Sequence, residues 1–277
     1  LNTRTLLADA VARLEAAGVA SPRFDAELLL AHVLGVPRGQ VSLVDVSASS
    51  RAAFEELVAR REKREPLQHL TGEAPFRHLL LKVGPGVFVP RPETEVVAGY
   101  AIDALASMVS PVVVDLCAGS GAIALAIATE VPAAVVHAVE LDRAAFEWAS
   151  RNVAGHAVTL VRGDAADALP ALNGTVDLVV ANPPYIPMAA YESVEQEVRD
   201  HDPALALWSG EDGLDAIRVI ERSAARLLRP GGVVVVEHAD VQGETAPAVF
   251  ASTGAWQSVR DRPDLAGRPR FVTASRA

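Results

Sequence analysis

Hydrophobic positions along the 277-residue chain follow two textures, helical in the first quarter and strand-helix alternation from residue 112 onward. Leu6, Leu7, Ala10, Val11 and Leu14 fall on one helical face, and Gly18 supplies a stop. Asp25 to Leu34 repeats the pattern and closes at Gly35 and Pro37. Arg51 to Glu65 predicts a third helix with Phe54, Leu57 and Val58 inward. Its end, Arg60 to Glu65, mixes signs and reads as a solvated helix face rather than a binding patch.

A linker follows. Turn signals at Thr71-Gly72 and Gly84-Pro85-Gly86 surround Leu79–Val83 and Val87–Val89, which predict a hairpin. Pro90-Arg91-Pro92-Glu93-Thr94-Glu95 then opens a helix with prolines and acids, as helix starts prefer. Strands are predicted at Val112–Leu116, Val135–Glu140, Val158–Arg162, Asp177–Ala181 and Val233–His238. Helical patterns at 121–130, 143–153 and 213–229 separate them. That alternation implies a mostly parallel, doubly wound α/β sheet with right-handed crossovers. Trp256–Arg260 and Phe271–Ala274 predict an antiparallel edge. The expected organisation is therefore a small helical domain over 1–75, a hairpin linker over 76–95 and an α/β domain over 96–277.

Half of the residues are hydrophobic, enough for a sizeable core, and the net charge of −10 disfavours non-specific attraction to nucleic acid phosphates. Cys117 is the sole cysteine, so no internal disulfide forms and a reducing compartment is expected. The N-terminus lacks a basic stretch followed by an apolar signal core. The most apolar stretch, Val112 to Val139, is interrupted by Asp115, Gly119, Gly121, Glu130 and Pro132, so no membrane span is expected. The expected location is the cytoplasm. Seven histidines show no metal-binding spacing, and no metal is expected. Trp148, Trp208 and Trp256 read as packing residues rather than a base-stacking platform.

The candidate chemistry lies at the ends of the predicted strands. The first strand runs into Asp115-Leu116-Cys117-Ala118-Gly119-Ser120-Gly121 and then a helix. Glycines at such a turn let backbone approach a ligand, and a helix start offers free N–H donors. Asp115 suits either ordering that turn or meeting a ligand amine. Glu140 ends the second strand and can accept both hydroxyl hydrogens of a ribose, a device that dinucleotide folds share. Positions 119, 121 and 124 read Gly, Gly, Ala, a permitted variant of the dinucleotide fingerprint, so these features leave the nucleoside-bearing cofactor undecided. Asp164, after the third strand, is placed to accept from an adenine amine or to cap a helix over Ala165–Leu169.

Asn182-Pro183-Pro184-Tyr185 follows the fourth strand. Amide and aryl-amine nitrogens are weak nucleophiles because their lone pairs are delocalised. Neutral acceptors, the Asn182 side-chain carbonyl and the Pro183 backbone carbonyl, can take their N–H hydrogens. Two prolines fix φ and hold those acceptors still. The Tyr185 ring can lie against the planar group. Such a site aims the nitrogen at an in-line electrophile such as a sulfonium methyl. Positioning of this kind is worth roughly 7–11 kcal/mol in favourable cases.

These segments together resemble the PrmC (HemK) family of class I S-adenosylmethionine-dependent methyltransferases. The resemblance extends to Pro66–Gly72, Phe88–Glu95, Asp115–Ala124, Glu197-Val198, Ala204–Leu207 with Gly210–Asp215, and Asp264–Phe271. It implies a Rossmann-like domain with a helical N-terminal domain that helps dock the substrate, a peptide chain release factor. The implied reaction is N5-methylation of the glutamine in that factor's Gly-Gly-Gln loop, with S-adenosylhomocysteine as coproduct. Cys117, Ala118, Gly119, Ser120 and Gly121 would wrap the methionine part of the cofactor, Glu140 would hold the ribose, and Asp164 with Ala165 would flank the adenine. Asn182 would also face the cofactor, and with Pro183, Pro184 and Tyr185 it would bind the glutamine amide. Cys117-Ala118 departs from the more usual Gly-Thr type pair, and Ala165 stands where some relatives carry an aromatic. The competing readings are a DNA or RNA base amino-methyltransferase (adenine N6 or guanine N2) and a non-catalytic release-factor-binding protein. The first would use the same tetrapeptide but calls for a basic groove or a recognition domain.

Overall fold

The computed structural model describes residues 2–277, which divide into two compact units. One runs from the N-terminal helix to Glu73 and takes in Glu195–His201, and the other comprises Ala74–Val194 and Asp202–Ala277.

The first unit is helical: α1 (Thr3–Ala16), α2 (Pro22–Leu34), α3 (Ala48–Glu62) and α4 (Leu67–Thr71), joined by α8 (Gln196–His201) from far along the chain. Leu6, Ala10, Leu14, Leu29, Leu30, Phe54 and Val58 make its core, the faces that the helical spacing indicates. The helix predicted over Arg51–Glu65 starts and ends three residues earlier. Its charged end is not simply a solvated face. Arg61 is buried, its Nε donating to Asp25 Oδ2 at 2.8 Å and its Nη1 pairing with Glu197 at 2.7 Å. Two distant carboxylates turn one member of a surface-like run inward, which no local pattern announces.

The second unit opens with a two-stranded hairpin, β1 (Glu73–Phe76) and β2 (Leu79–Lys82). This differs from the predicted pairing of Leu79–Val83 with Val87–Val89. Val83, Val87 and Val89 are buried in the main core instead of pairing, and the true turn, Arg77-His78, has no glycine or asparagine. Arg77 itself takes the positive φ, 53°, that a tight hairpin turn demands.

After α5 (Pro92–Leu105) the chain forms a seven-stranded sheet in the order β5-β4-β3-β6-β7-β9-β8. Its strands are β3 (Val112–Leu116), β4 (Val135–Glu140), β5 (Val158–Arg162), β6 (Val176–Ala181), β7 (Leu228–Glu237), β8 (Trp256–Pro263) and β9 (Pro269–Arg276). The pairs β5-β4, β4-β3, β3-β6 and β6-β7 are parallel, and β7-β9 and β9-β8 antiparallel, so the antiparallel edge is where the sequence places it. The connecting helices are α6 (Ala122–Glu130), α7 (Arg143–Val153), α9 (Ala204–Leu207), α10 (Asp215–Leu227) and α11 (Thr245–Ala251).

Alternate residues of the central strands enter opposite cores. Val113, Val136, Leu178, Val180 and Val235 face one core together with α5 and α6, while Val114, Val139, Val179, Val234 and Val236 face the core of α10 and α11. Strands covered on both faces read as continuous apolar runs, which is why β3, β6 and β7 were legible. No helix among the described residues is long and apolar enough to cross a membrane.

Candidate active site at the carboxyl edge of the sheet

Four adjacent parallel strands, β5, β4, β3 and β6, end at one edge, which brings together the candidate residues at or just after each end. The chain proceeds from β3 to β4 and β5 on one side and then crosses to β6 and β7 on the other, and that switch in strand order is where an open α/β sheet leaves a crevice.

The turn after β3 is fixed by backbone. Cys117 and Ala118 both donate N–H bonds to the Val139 carbonyl on β4, at 3.0 and 2.9 Å. Gly119 adopts φ 56°, and a Cβ there would meet nothing within 4 Å, so the turn's outer side is open space. Cys117, not a glycine, has φ 91°, a strained value for a residue with a Cβ. Ser120 is buried, its carbonyl accepting from Asn152 Nδ2 at 2.9 Å. Asn152, on α7, gave no signal in the sequence.

Three acids converge on this turn. Asp115 is fully buried; Oδ2 accepts from the Ala124 N–H at 3.1 Å and Oδ1 has no partner. Burial pushes its carboxyl up to about 7, against the Ala124 bond and with help from the Glu140 charge. Glu140 accepts from Gly119 and Asp142 N–H groups, both at 2.7 Å, yet burial still raises its carboxyl. A carboxylate has about four lone-pair directions, so even with the Leu141 N–H also acting on it one remains open. Asp164 is exposed, and its Oδ1 accepts from the Ala166 N–H at 2.9 Å. It caps a turn rather than a helix, since Ala165–Asp167 form only turns, and Ala165 is half-buried beside it. Burial, then Glu140, Asp115 and Asp164, keep the Cys117 thiol protonated, so Cys117 is no nucleophile here.

These residues fit S-adenosylmethionine. The ligand is cationic at sulfur and amine and carries ribose hydroxyls and an adenine amine, all donors or positive charges. The edge offers the reverse: an orphaned buried carboxylate oxygen, an open lone pair on Glu140, and an exposed acid. Among the described residues no group of three or more His, Cys, Asp or Glu side chains is set to hold a metal.

The tetrapeptide leaves β6 next to this turn. Pro183 is buried, and Asn182 and Pro184 are half-buried. Asn182 Nδ2 donates to Thr94 Oγ1 on α5 at 3.2 Å. Tyr185 packs on the α10–α11 core with its hydroxyl end enclosed and donates to Glu237 Oε1, at the end of β7, at 3.4 Å. Burial, then the Glu237 charge, raise the phenol, so it stays neutral. Glu237 is itself buried and pushed up to about 7 by that burial. The Tyr185 carbonyl accepts from Gln242 Nε2 at 3.0 Å, and Ile186 pairs with Trp208 in a short parallel bridge. Thr94, Glu237 and Gln242 are hydrogen-bonding neighbours of the tetrapeptide that the sequence did not single out.

Comparison with known proteins finds matches along the chain. The family models of the PrmC N-terminal domain and of the methyltransferase small domain match residues 5–72 and 81–200. A release factor glutamine methyltransferase of Streptomyces coelicolor is 60% identical over 98% of this chain and 97% of its own length. A 4-amino-L-phenylalanine/4-methylamino-L-phenylalanine methyltransferase of Streptomyces pristinaespiralis is 46% identical over 93% of this chain and 90% of its own. Among solved structures, the catalytic domain of hMettl16 in complex with MAT2A 3′UTR hairpin 6 superposes with a TM-score of 0.56 over 80% of this chain and 82% of its own. At 13% identity that likeness speaks to the fold alone.

Proposed function

The chain belongs to the release factor glutamine methyltransferase family, and on that premise we propose that it transfers a methyl group from S-adenosylmethionine to the side-chain nitrogen of a release factor glutamine. The observation that carries the site assignment is the placement of Asn182 at the end of β6, one strand from the acid-lined turn after β3, with its amide nitrogen tied back to Thr94.

S-adenosylmethionine supplies a methyl group on positively charged sulfur and leaves as S-adenosylhomocysteine. Asp115 meets the ligand's amine with its free oxygen, Glu140 takes the ribose hydroxyls, and Asp164 with Ala165 borders the adenine. Cys117 to Gly121 lend backbone to the methionine part. Asn182 Oδ1 and the Pro183 carbonyl accept the two amide hydrogens of the glutamine, turning its nitrogen toward the methyl group. As the new N–C bond forms, the nitrogen becomes cationic and its proton, now acidic, passes by way of the accepting carbonyl to solvent, so no strong base has to act first. Tyr185 and Pro184 border the planar amide and keep water from it, and that positioning lowers the barrier by roughly 7–11 kcal/mol at best. The helical unit, whose family model is the PrmC N-terminal domain, is the part we assign to holding the release factor. Since release factors work on the ribosome, the enzyme belongs in the cytoplasm.

The test is transfer of labelled methyl from S-adenosylmethionine to a purified release factor, to a mixed DNA and RNA pool, and to 4-aminophenylalanine, with the label located by mass spectrometry. Methyl on the glutamine is expected. Label on nucleic acid or aryl amine alone overturns the assignment. Asn182→Ala is expected to abolish transfer while calorimetry still registers cofactor binding, and wild-type turnover in that variant would remove Asn182 from the reaction.

A further inference from the structure

Asn182 is useful to the reaction only in one of two orientations. Its side chain has a carbonyl on one side and an NH2 on the other, and a half-turn about the last bond exchanges them. With the NH2 outward, it would present donors to an amide that itself has only N–H hydrogens to offer there.

The neighbours break that symmetry. Asn182 Nδ2 donates to Thr94 Oγ1 at 3.2 Å, and among the described residues this is its one side-chain hydrogen bond. Thr94 is 3% exposed, 88 residues away in sequence, on the first turn of α5. Its hydroxyl carries one hydrogen. Beyond it lies Glu237, buried at the end of β7, whose Oε2 has no regular hydrogen-bond partner. The Thr94 hydroxyl, the Arg270 charge and Tyr185 all favour the ionised Glu237 carboxyl, against the burial that raises it. The contact is looser than a regular bond, but an ionised buried carboxylate draws the one mobile hydrogen toward itself. The lone pairs of Thr94 Oγ1 are then left for Asn182 Nδ2.

We propose that Thr94 is a positioning residue for methyl transfer: its hydroxyl, polarised by Glu237, accepts from Asn182 Nδ2 and so points the Asn182 carbonyl at the substrate nitrogen. The inference rests on the reading of Asn182 as the amide acceptor. Glu237 also takes the Tyr185 hydroxyl, so one buried acid steadies both ends of the tetrapeptide through α5 and β7. A residue that merely fills space at this position would be replaceable by valine, which has the same shape without the hydroxyl.

The experiment compares Thr94→Val, Thr94→Ala and Thr94→Ser in full-length enzyme at pH 8, measuring kcat and KM for a purified release factor and calorimetric affinity for S-adenosylhomocysteine. For Thr94→Val we expect kcat to fall by about 10- to 100-fold, the range of a misplaced reacting group. KM and cofactor affinity should stay within about threefold, since the hydroxyl touches neither ligand. Thr94→Ser, which restores the oxygen and its hydrogen, should recover most of the loss. If the valine variant does not fold, the alanine and serine pair decides the same question, because they differ by the hydroxyl alone. Wild-type kcat in Thr94→Val, or equal loss in the serine and alanine variants with cofactor affinity intact, overturns the proposal. Asn182→Ala runs alongside. An inactive Asn182→Ala with a fully active Thr94→Val defeats only the role of Thr94, whereas an active Asn182→Ala defeats the reading on which it rests.

Discussion

Asp115→Asn isolates a buried charge at the carboxyl edge of the sheet. The asparagine carbonyl can still accept the Ala124 N–H, so the turn keeps its bond while the charge is lost. The wild-type carboxyl has an ordinary value of 3.8 and stands at about 7 in the folded chain. Between those values the folded state holds a proton that the unfolded state has released. Folding stability from this group is therefore complete below about pH 4, falls as pH rises toward 7, and is level above that. The whole gap, about three pH units, corresponds to roughly 4 kcal/mol. Across pH 6 to 8, the accessible part of the window, it corresponds to about 1.4 kcal/mol. The fixed cost of an unpaired asparagine NH2 does not vary with pH and drops out of the comparison. Glu237, which also stands at about 7, titrates in both proteins and cancels.

The assay is urea unfolding of wild type and Asp115→Asn at pH 6, 7 and 8, followed by tryptophan fluorescence. Trp148, Trp208 and Trp256 all lie in the unit that contains Asp115, so the probe reports the relevant transition. The variant should gain on wild type by about 1.4 kcal/mol from pH 6 to 8. The same titration should govern cofactor binding. An ammonium group that needs ionised Asp115 finds it about one-tenth ionised at pH 6 and nine-tenths at pH 8, so affinity should rise by about tenfold, and Asp115→Asn should lose most of that rise. A stability difference that does not change with pH would refute the account of Asp115 as a charge held at a desolvation cost.

Two further substitutions test the backbone around the site. Cys117→Gly should be more stable than Cys117→Ala by about 1 kcal/mol, because φ 91° penalises any Cβ. That reverses the usual order, in which glycine loses to alanine through the entropy of the unfolded chain, and finding the usual order in urea titrations would remove the strain. Gly213, at φ 76°, lies against the Tyr185 carbonyl, and a Cβ there would overlap that oxygen and crowd Gln242 Nε2. Gly213→Ala should therefore lower kcat by about tenfold or more while cofactor affinity, read by calorimetry, holds. Unaltered turnover would show that the contact with Tyr185 does not set the tetrapeptide's position.

The parts of the site that were legible in the sequence share one property: each follows its own strand directly. Asp115 and Cys117, Glu140, Asp164 and Asn182 come at or just after the ends of β3, β4, β5 and β6, and parallel pairing brings those ends together without further instruction. Finding the strands was enough to find the edge. What failed to show depended on contacts between distant segments. Arg61 looked like part of a solvated charge run, and only Asp25 and Glu197 bring it inside. The hairpin was misplaced because Arg77, not a glycine, takes the left-handed turn, and because buried valines in a turn-rich stretch imitate a strand. Thr94 reads as an ordinary first-turn helix residue, and Glu237 as the polar end of an apolar strand.

That division bears on selectivity. On the proposed reading, the two acceptors of the tetrapeptide take a nitrogen that carries hydrogens in the plane of a delocalised system, a description met equally by a primary amide and by an aryl amine. A relative 46% identical over nearly all of this chain is named for methylating 4-amino-L-phenylalanine, while one 60% identical is named for a release factor glutamine. Overall similarity of this degree therefore spans both kinds of substrate nitrogen. If the proposed role of Asn182 to Tyr185 holds, selection between a free amino acid and a protein loop falls to surfaces outside them: the tetrapeptide would set how the nitrogen is presented, and residues without a short motif of their own would set which nitrogen arrives.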